Sequence, residues 1–61
     1  MSATKTIAAS LDWCRQIGRA MAADGRTPEE VDQFLRSIGR QPEGVTYRRV
    51  QRAYRDQLAR A

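Results

Sequence analysis

Apolar residues recur along this chain at intervals of three and four, which is the period of an α-helix and not the alternation of a β-strand. The first such segment predicts a helix over residues 6–23. We expect Thr4 or Thr6 to cap its start and Gly25 to follow its end, because glycine readily adopts the left-handed conformation there. Its apolar face consists of Ile7, Leu11, Cys14, Ile17, Gly18 and Met21.

The second predicted helix covers residues 28–38 and has the clearest start in the chain. Thr27 is placed to be its N-cap, and Pro28 occupies the first helical position. Glu30 lies three residues after Thr27, so the two can form a capping box. Gly39 is expected to end the helix. Its apolar face consists of Val31, Phe34, Leu35 and Ile38.

The third predicted helix covers residues 47–60. Thr46 is the expected N-cap, and Val45 can form a hydrophobic staple with Val50. The apolar stripe consists of Tyr47, Val50, Tyr54 and Leu58.

Three amphipathic helices joined by short connectors predict an all-α fold, in which each apolar face is buried against the others. We expect one compact three-helix domain over residues 1–61, because a chain of 61 residues is too short for two domains. A homodimer is compatible with its thin core but not required by it. Trp13 and Tyr47 are expected at the edges of the core. The predicted core is Ile7, Leu11, Cys14, Ile17, Met21, Val31, Phe34, Leu35, Ile38, Val50, Tyr54 and Leu58.

The composition narrows the function classes. One Cys and no His exclude the usual zinc sites and His-based catalytic groups, so we expect no enzymatic activity, catalytic residue, metal or cofactor. Cys14 is interpreted as a small buried apolar residue. No apolar run approaches the roughly 18 residues that span a bilayer, and the N-terminus lacks the pattern of a signal peptide. We therefore expect a cytoplasmic protein that has no membrane partner.

The formal net charge of +4 is concentrated in the third helix. Up to Gly44 the acidic and basic side chains cancel, whereas five arginines and only Asp56 follow it. On a helical wheel these arginines lie opposite the apolar stripe or on its shoulder. Asp56 is expected to pair with Arg52 or Arg60 at a spacing of four. We call the five the arginine ridge, which consists of Arg48, Arg49, Arg52, Arg55 and Arg60.

The arginine ridge, together with Tyr47, is the candidate binding surface. Arg binds phosphate and carboxylate through a planar fork, so the sequence favours a small nucleic-acid-binding protein. DNA is the favoured target and a regulator from a compact or mobile genome the favoured role. The second and third helices could form a helix-turn-helix-like pair, although the connector over residues 39–45 is longer than the usual turn.

Two other interpretations remain open. The chain could be a non-enzymatic protein-binding module, such as an adaptor, an antitoxin-like partner or an inhibitor, that docks on an acidic protein surface. The arginine ridge could also be only a solvated helix face. Arginines that lack acidic neighbours favour a nucleic-acid ligand, an adjacent apolar patch favours a protein partner, and ion pairs with the chain's own carboxylates favour the solvated face.

Overall fold

The computed structural model describes residues 9–60, which form three α-helices and no strand. Helix α1 spans Leu11–Ala23, α2 spans Pro28–Ser37 and α3 spans Val45–Arg60. The predicted all-α, three-helix domain is confirmed. Within the described range, no helix combines the length and hydropathy needed to cross a membrane.

Helix α1 begins at Leu11 because Ser10 is its N-cap. The backbone of Ser10 is extended, and its side chain accepts a hydrogen bond from the Trp13 amide at 3.1 Å. The predicted caps Thr4 and Thr6, and residues 6–8 of the predicted helix, lie outside the described residues. The end of α1 agrees with the prediction.

Helix α2 has the predicted capping box. The Thr27 side chain accepts from the Glu30 amide at 3.2 Å, and the Glu30 carboxylate accepts from the Thr27 amide at 2.8 Å. The helix ends at Ser37, with Ile38 as C-cap, one residue earlier than predicted. Gly39 follows with a φ of 81°, which a residue with a side chain rarely adopts.

Helix α3 begins earlier than predicted, and its predicted N-cap is wrong. The Gly44 carbonyl accepts the first helical bond from the Arg48 amide at 3.2 Å, which places Gly44 at the N-cap position. Val45 therefore belongs to the helix and is 44% exposed, so the predicted staple with Val50 is also wrong.

Thr46 makes a tertiary contact and does not cap the helix. It lies in the first turn of α3, is only 3% exposed, and its hydroxyl accepts a hydrogen bond from the Ala9 amide at 3.1 Å. That bond satisfies a buried hydroxyl and attaches the segment before α1 to the start of α3.

The buried core is smaller than predicted. Leu11, Ile38 and Leu58 are 43%, 44% and 45% exposed, so their assignment to the core is wrong. All three lie in an end turn or at a cap, where the neighbouring helices cover less of a side chain. Ile7 lies outside the described residues. Ile17, Met21 and Phe34 are half-buried against the core, as are Trp13 and Tyr47 at its edges. Among the described residues, the buried apolar side chains of the core are those of Cys14, Val31, Leu35, Val50 and Tyr54.

Helices α1 and α3 approach each other closely at Gly18. A Cβ atom there would lie 2.6 Å from the Ala53 Cβ and 2.7 Å from the Val50 carbonyl oxygen. Only a residue without a side chain lets the two backbones come this near. One turn before this contact on both helices, the Cys14 thiol donates to the Thr46 carbonyl at 4.0 Å. Helices α1 and α3 therefore run side by side in the same direction.

Two tyrosine hydroxyls of α3 attach it to the α2 region. Tyr54 donates to the Arg26 carbonyl at 2.5 Å, in the loop before α2. Tyr47 donates to the Asp32 carboxylate on α2. These two hydrogen bonds fix which side of α3 faces α2, and so which side is left for the arginines.

Candidate nucleic-acid interface

All five side chains of the arginine ridge are exposed. On a helical wheel Arg48, Arg52 and Arg55 lie opposite Val50 and Tyr54, which are buried, and Arg49 and Arg60 lie on the shoulder beside them. Among residues 9–60, ion pairs are made by Arg26, with Asp24 and Glu30, and by Arg36, with Asp32. No residue of the arginine ridge makes an ion pair with a described carboxylate. The expected pairing of Asp56 with Arg52 or Arg60 is therefore not formed.

The arginine ridge is divided between two sides of α3. Arg49 and Arg60 face the groove between α1 and α3. Arg48 and Arg55 line a separate hollow beside Tyr47 and Gln51. Arg52 lies between the two and lines both. A single guanidinium thus connects the two halves of the surface.

The groove between α1 and α3 also contains two arginines that the sequence analysis did not select. Arg15 and Arg19 of α1 line it opposite the α3 side chains, above Ala53, and its volume is about 590 Å³. The helices that border it are held together by the Gly18 contact. We call this feature the basic groove, and its cations are Arg15, Arg19, Arg49, Arg52 and Arg60.

Arg15 and Arg19 were missed because the charge of the first part of the chain sums to zero. Their sequence signal is a spacing of four, which places both on one polar face of α1. That this face lies beside the arginines of α3 follows from helix packing, which the sequence alone does not show.

The basic groove carries a strong positive charge. Its described lining contains five guanidinium groups and one carboxylate, Asp56. The planar fork of guanidinium suits phosphate and carboxylate oxygens. The remaining described side chains of the lining are those of Leu11, Ala53 and Gln57. The arrangement is chemically suited to hold a polyanion, and none of these residues has an aromatic ring.

Tyr47, the remaining predicted site residue, is half-buried and its hydroxyl is already occupied. It donates to Asp32 and accepts from the Gln51 side chain at 3.4 Å. The hydrogen bond to Asp32, followed by burial, raises the pKa of Tyr47. The same bond, followed by that from Arg36, lowers the pKa of Asp32. The ring of Tyr47, more than its hydroxyl, is therefore what a ligand would meet in the hollow.

Cys14 lies inside the core and does not line the basic groove. Burial raises the pKa of its thiol, and the nearby charges of Arg49 and Arg40 offset this only in part. The thiol therefore stays protonated at neutral pH and behaves as the small buried apolar residue that the sequence predicts.

No protein-family model, no curated protein and no solved structure matches this chain. Its function is therefore inferred from its own residues and their geometry.

Proposed function

We propose that this protein binds nucleic acid, with DNA as the favoured target, through the basic C-terminal helix α3. The observation that carries the proposal is the difference between two sets of arginines. Arg26 and Arg36 have carboxylate partners within 3.6 Å, whereas the arginine ridge has none among residues 9–60. Phosphate groups supply the missing counter-charge, and their neutralisation releases bound counterions, which drives binding.

A solvated face accounts less well for this arrangement. Surface charges that serve solubility alone are usually mixed in sign. Helix α3 instead carries five arginines and one acidic residue, Asp56. Like charges this close repel one another, and the repulsion is relieved when an anion binds.

The start of α3 suits contact with a nucleic acid. Arg48 and Arg49 lie in its first turns and are exposed, and in a helix-turn-helix protein these positions reach the base edges. Here α2 and α3 are joined by residues 38–44, which is more than the usual turn of three or four residues. A helix-turn-helix mode of docking therefore remains a prediction.

A protein partner with an acidic surface is the second candidate, and the observation in its favour is Leu11. This side chain is 43% exposed and lines the basic groove, so it could make an apolar contact beside the arginines. Another groove is lined mainly by apolar side chains, among them those of Ile17, Met21 and Phe34. It lies on a different side of α1 from the arginines, because Ile17 is about 200° around the helix from Arg15. One apolar side chain is a small anchor, so nucleic acid is the better-supported ligand.

The test is fluorescence anisotropy of a labelled duplex DNA of random sequence, titrated at ~50 and ~200 mM salt. With four phosphate contacts, the logarithm of the affinity should fall with a slope near −3.6 against the logarithm of the salt concentration, or about 150-fold between the two conditions. A variant that combines Arg48→Gln, Arg52→Gln and Arg55→Gln should lose most of this binding while its circular dichroism stays helical.

The matched control combines Arg26→Gln, Arg36→Gln and Arg40→Gln. It also removes three positive charges, all of them from outside α3, and it should keep the parent's salt slope. Absence of binding by the parent protein at the lower salt concentration would overturn the proposal. Equal losses in the two triple variants would show that net charge, and not α3, governs binding.

A further inference from the structure

Two exposed arginines of α1 lie across the basic groove from those of α3. From this we infer that the basic groove holds the sugar–phosphate backbone of one nucleic-acid strand, with Arg15 and Arg19 in direct contact with phosphates and without readout of the bases. The inference rests on the proposed function and extends it, because it adds α1 to the interface and specifies the chemistry of the ligand.

The dimensions of the groove fit one strand. Arg49 and Arg60 are separated by about 16 Å along α3, at 1.5 Å per residue. One strand of B-DNA rises 3.4 Å per phosphate along the duplex axis, and its inclined backbone covers more than this between phosphates, so this length takes fewer than five phosphates. Arg15 and Arg19 are about 6 Å apart on the opposite wall, which leaves each of them room to contact its own phosphate.

The width of the groove excludes a whole duplex. At Gly18 an added Cβ would overlap the backbone of α3, so the two helix axes are at or below the usual 8–10 Å of packed helices. The major groove of B-DNA alone is about 12 Å wide. The surface between α1 and α3 can therefore follow one backbone, either free or as one strand of a duplex.

Apart from its arginines, the lining supplies little that could read bases. Proteins recognise unpaired bases by stacking them on aromatic rings and read base edges with Arg and with the amides of Asn and Gln. The described residues of the lining of the basic groove include no aromatic residue and no Asn, and Gln57 is the one amide among them. Tyr47 and Gln51 line the other hollow. With its guanidinium groups facing each other across the groove, the expected contact is with phosphates.

The experiment compares two double variants that each remove two positive charges. Arg15→Gln with Arg19→Gln takes them from the α1 wall, and Arg26→Gln with Arg36→Gln takes them from outside the basic groove. Loss of two phosphate contacts should reduce the magnitude of the duplex salt slope by about 1.8 and weaken binding at ~50 mM salt roughly tenfold or more. The control should leave the slope unchanged, with circular dichroism confirming the fold of both variants.

The same variants are then titrated with the single strand of the duplex, with AT-rich and GC-rich duplexes, and with poly-glutamate. Loss of affinity for both single and double strands in the α1 variant would confirm contact with the backbone. If the parent protein binds only the single strand or only the duplex, that nucleic acid is the one whose backbone the groove holds. Arg15→Gln with Arg19→Gln should lower the affinity for the two duplexes by the same factor, and factors that differ by more than about tenfold would overturn binding without base readout.

The outcomes separate this inference from the proposed function. If the parent protein binds no nucleic acid, both fail. If the parent binds but the α1 variant keeps the full salt slope, α3 acts alone and only the inference is overturned. If poly-glutamate binds as tightly as DNA, the groove recognises carboxylates equally well, and the assignment of a phosphodiester ligand is wrong.

Discussion

Helix α2 and the basic groove differ in whether their charged side chains have partners within the molecule. In α2, Glu30 accepts from the Thr27 amide, and Asp32 accepts from both Arg36 and Tyr47. The five arginines of the basic groove, in contrast, have no described carboxylate within ion-pairing distance. The charged groups of α2 are used within the molecule, whereas those of the groove are left for another molecule.

The difference indicates where binding energy can come from. A side chain that already has a partner must break that contact before it binds a ligand, so it gains little. An exposed guanidinium surrounded by like charges gains the whole interaction. The three experiments below test this division: the first is directed at the basic groove, the second at α2, and the third at both.

The largest effect is expected at the contact that sets the groove. Gly18→Ala places a Cβ 2.6 Å from that of Ala53 and within 2.8 Å of two backbone atoms of α3. Overpacking of this kind costs about 1–3 kcal/mol, which outweighs the gain of about 1 kcal/mol in helix propensity. We expect a lower free energy of unfolding in urea and, because the helices separate, weaker DNA binding.

Gln16→Ala on the same helix is the control for Gly18→Ala. Gln16 is exposed, so the free energy of unfolding should change by less than about 0.5 kcal/mol. A Gly18→Ala protein that is more stable than its parent would mean that α1 and α3 are not in the close contact described above.

A smaller loss of stability is expected in acid, and it should originate in the α2 region. Hydrogen bonds from Tyr47 and then Arg36 lower the pKa of Asp32 below its usual 3.8, and the bond from the Thr27 amide lowers that of Glu30 below 4.5. A carboxylate with a lowered pKa stabilises the fold at higher pH, and this contribution is lost as pH falls through the lowered value. Stability should therefore be level from about pH 5 to 8 and fall below about pH 4.

Tyr47→Phe tests the origin of that acid sensitivity. Without the hydroxyl, the pKa of Asp32 should rise toward its usual value, so the urea midpoint should depend less on pH in acid. An unchanged acid profile in Tyr47→Phe would show that this hydrogen bond does not set the pKa of Asp32.

The smallest effect is expected from single arginines, and its sign should differ between the two regions. Arg36→Gln removes the partner of Asp32 and should lower the thermal midpoint slightly. Arg52→Gln removes a charge that only like charges and Asp56 surround in the groove, so the midpoint should stay the same or rise. Equal decreases in the two variants would contradict the division between paired and unpaired arginines.

The sequence was sufficient for the features that depend on neighbouring residues. The helical period gave the three helices, and Thr27 with Glu30 gave the start of α2, because a capping box is formed within one turn. The arginine ridge was also visible, since five cations on one helix stand out in the charge distribution. These predictions need no knowledge of how the helices pack.

The features that depend on packing were missed or wrong. Thr46 has the sequence of an N-cap, but its hydroxyl is used by Ala9, which is 37 positions away. Leu58 has the period of a core residue but lies near the end of α3, where its neighbours leave 45% of it exposed. Arg15 and Arg19 enter the candidate site only because Gly18 brings α1 against α3. Each of these outcomes depends on contacts between distant parts of the chain.

The common direction of α1 and α3 gives the basic groove a polarity. Each helix carries the equivalent of about half a positive charge at its N-terminus and half a negative charge at its C-terminus. In two helices that run together these dipoles add. The dipoles therefore add positive potential at the end of the groove near Leu11 and negative potential near Arg60, whose own charge offsets the negative end of α3. For a bound polyanion, the contribution of the dipoles is most favourable where both helices begin.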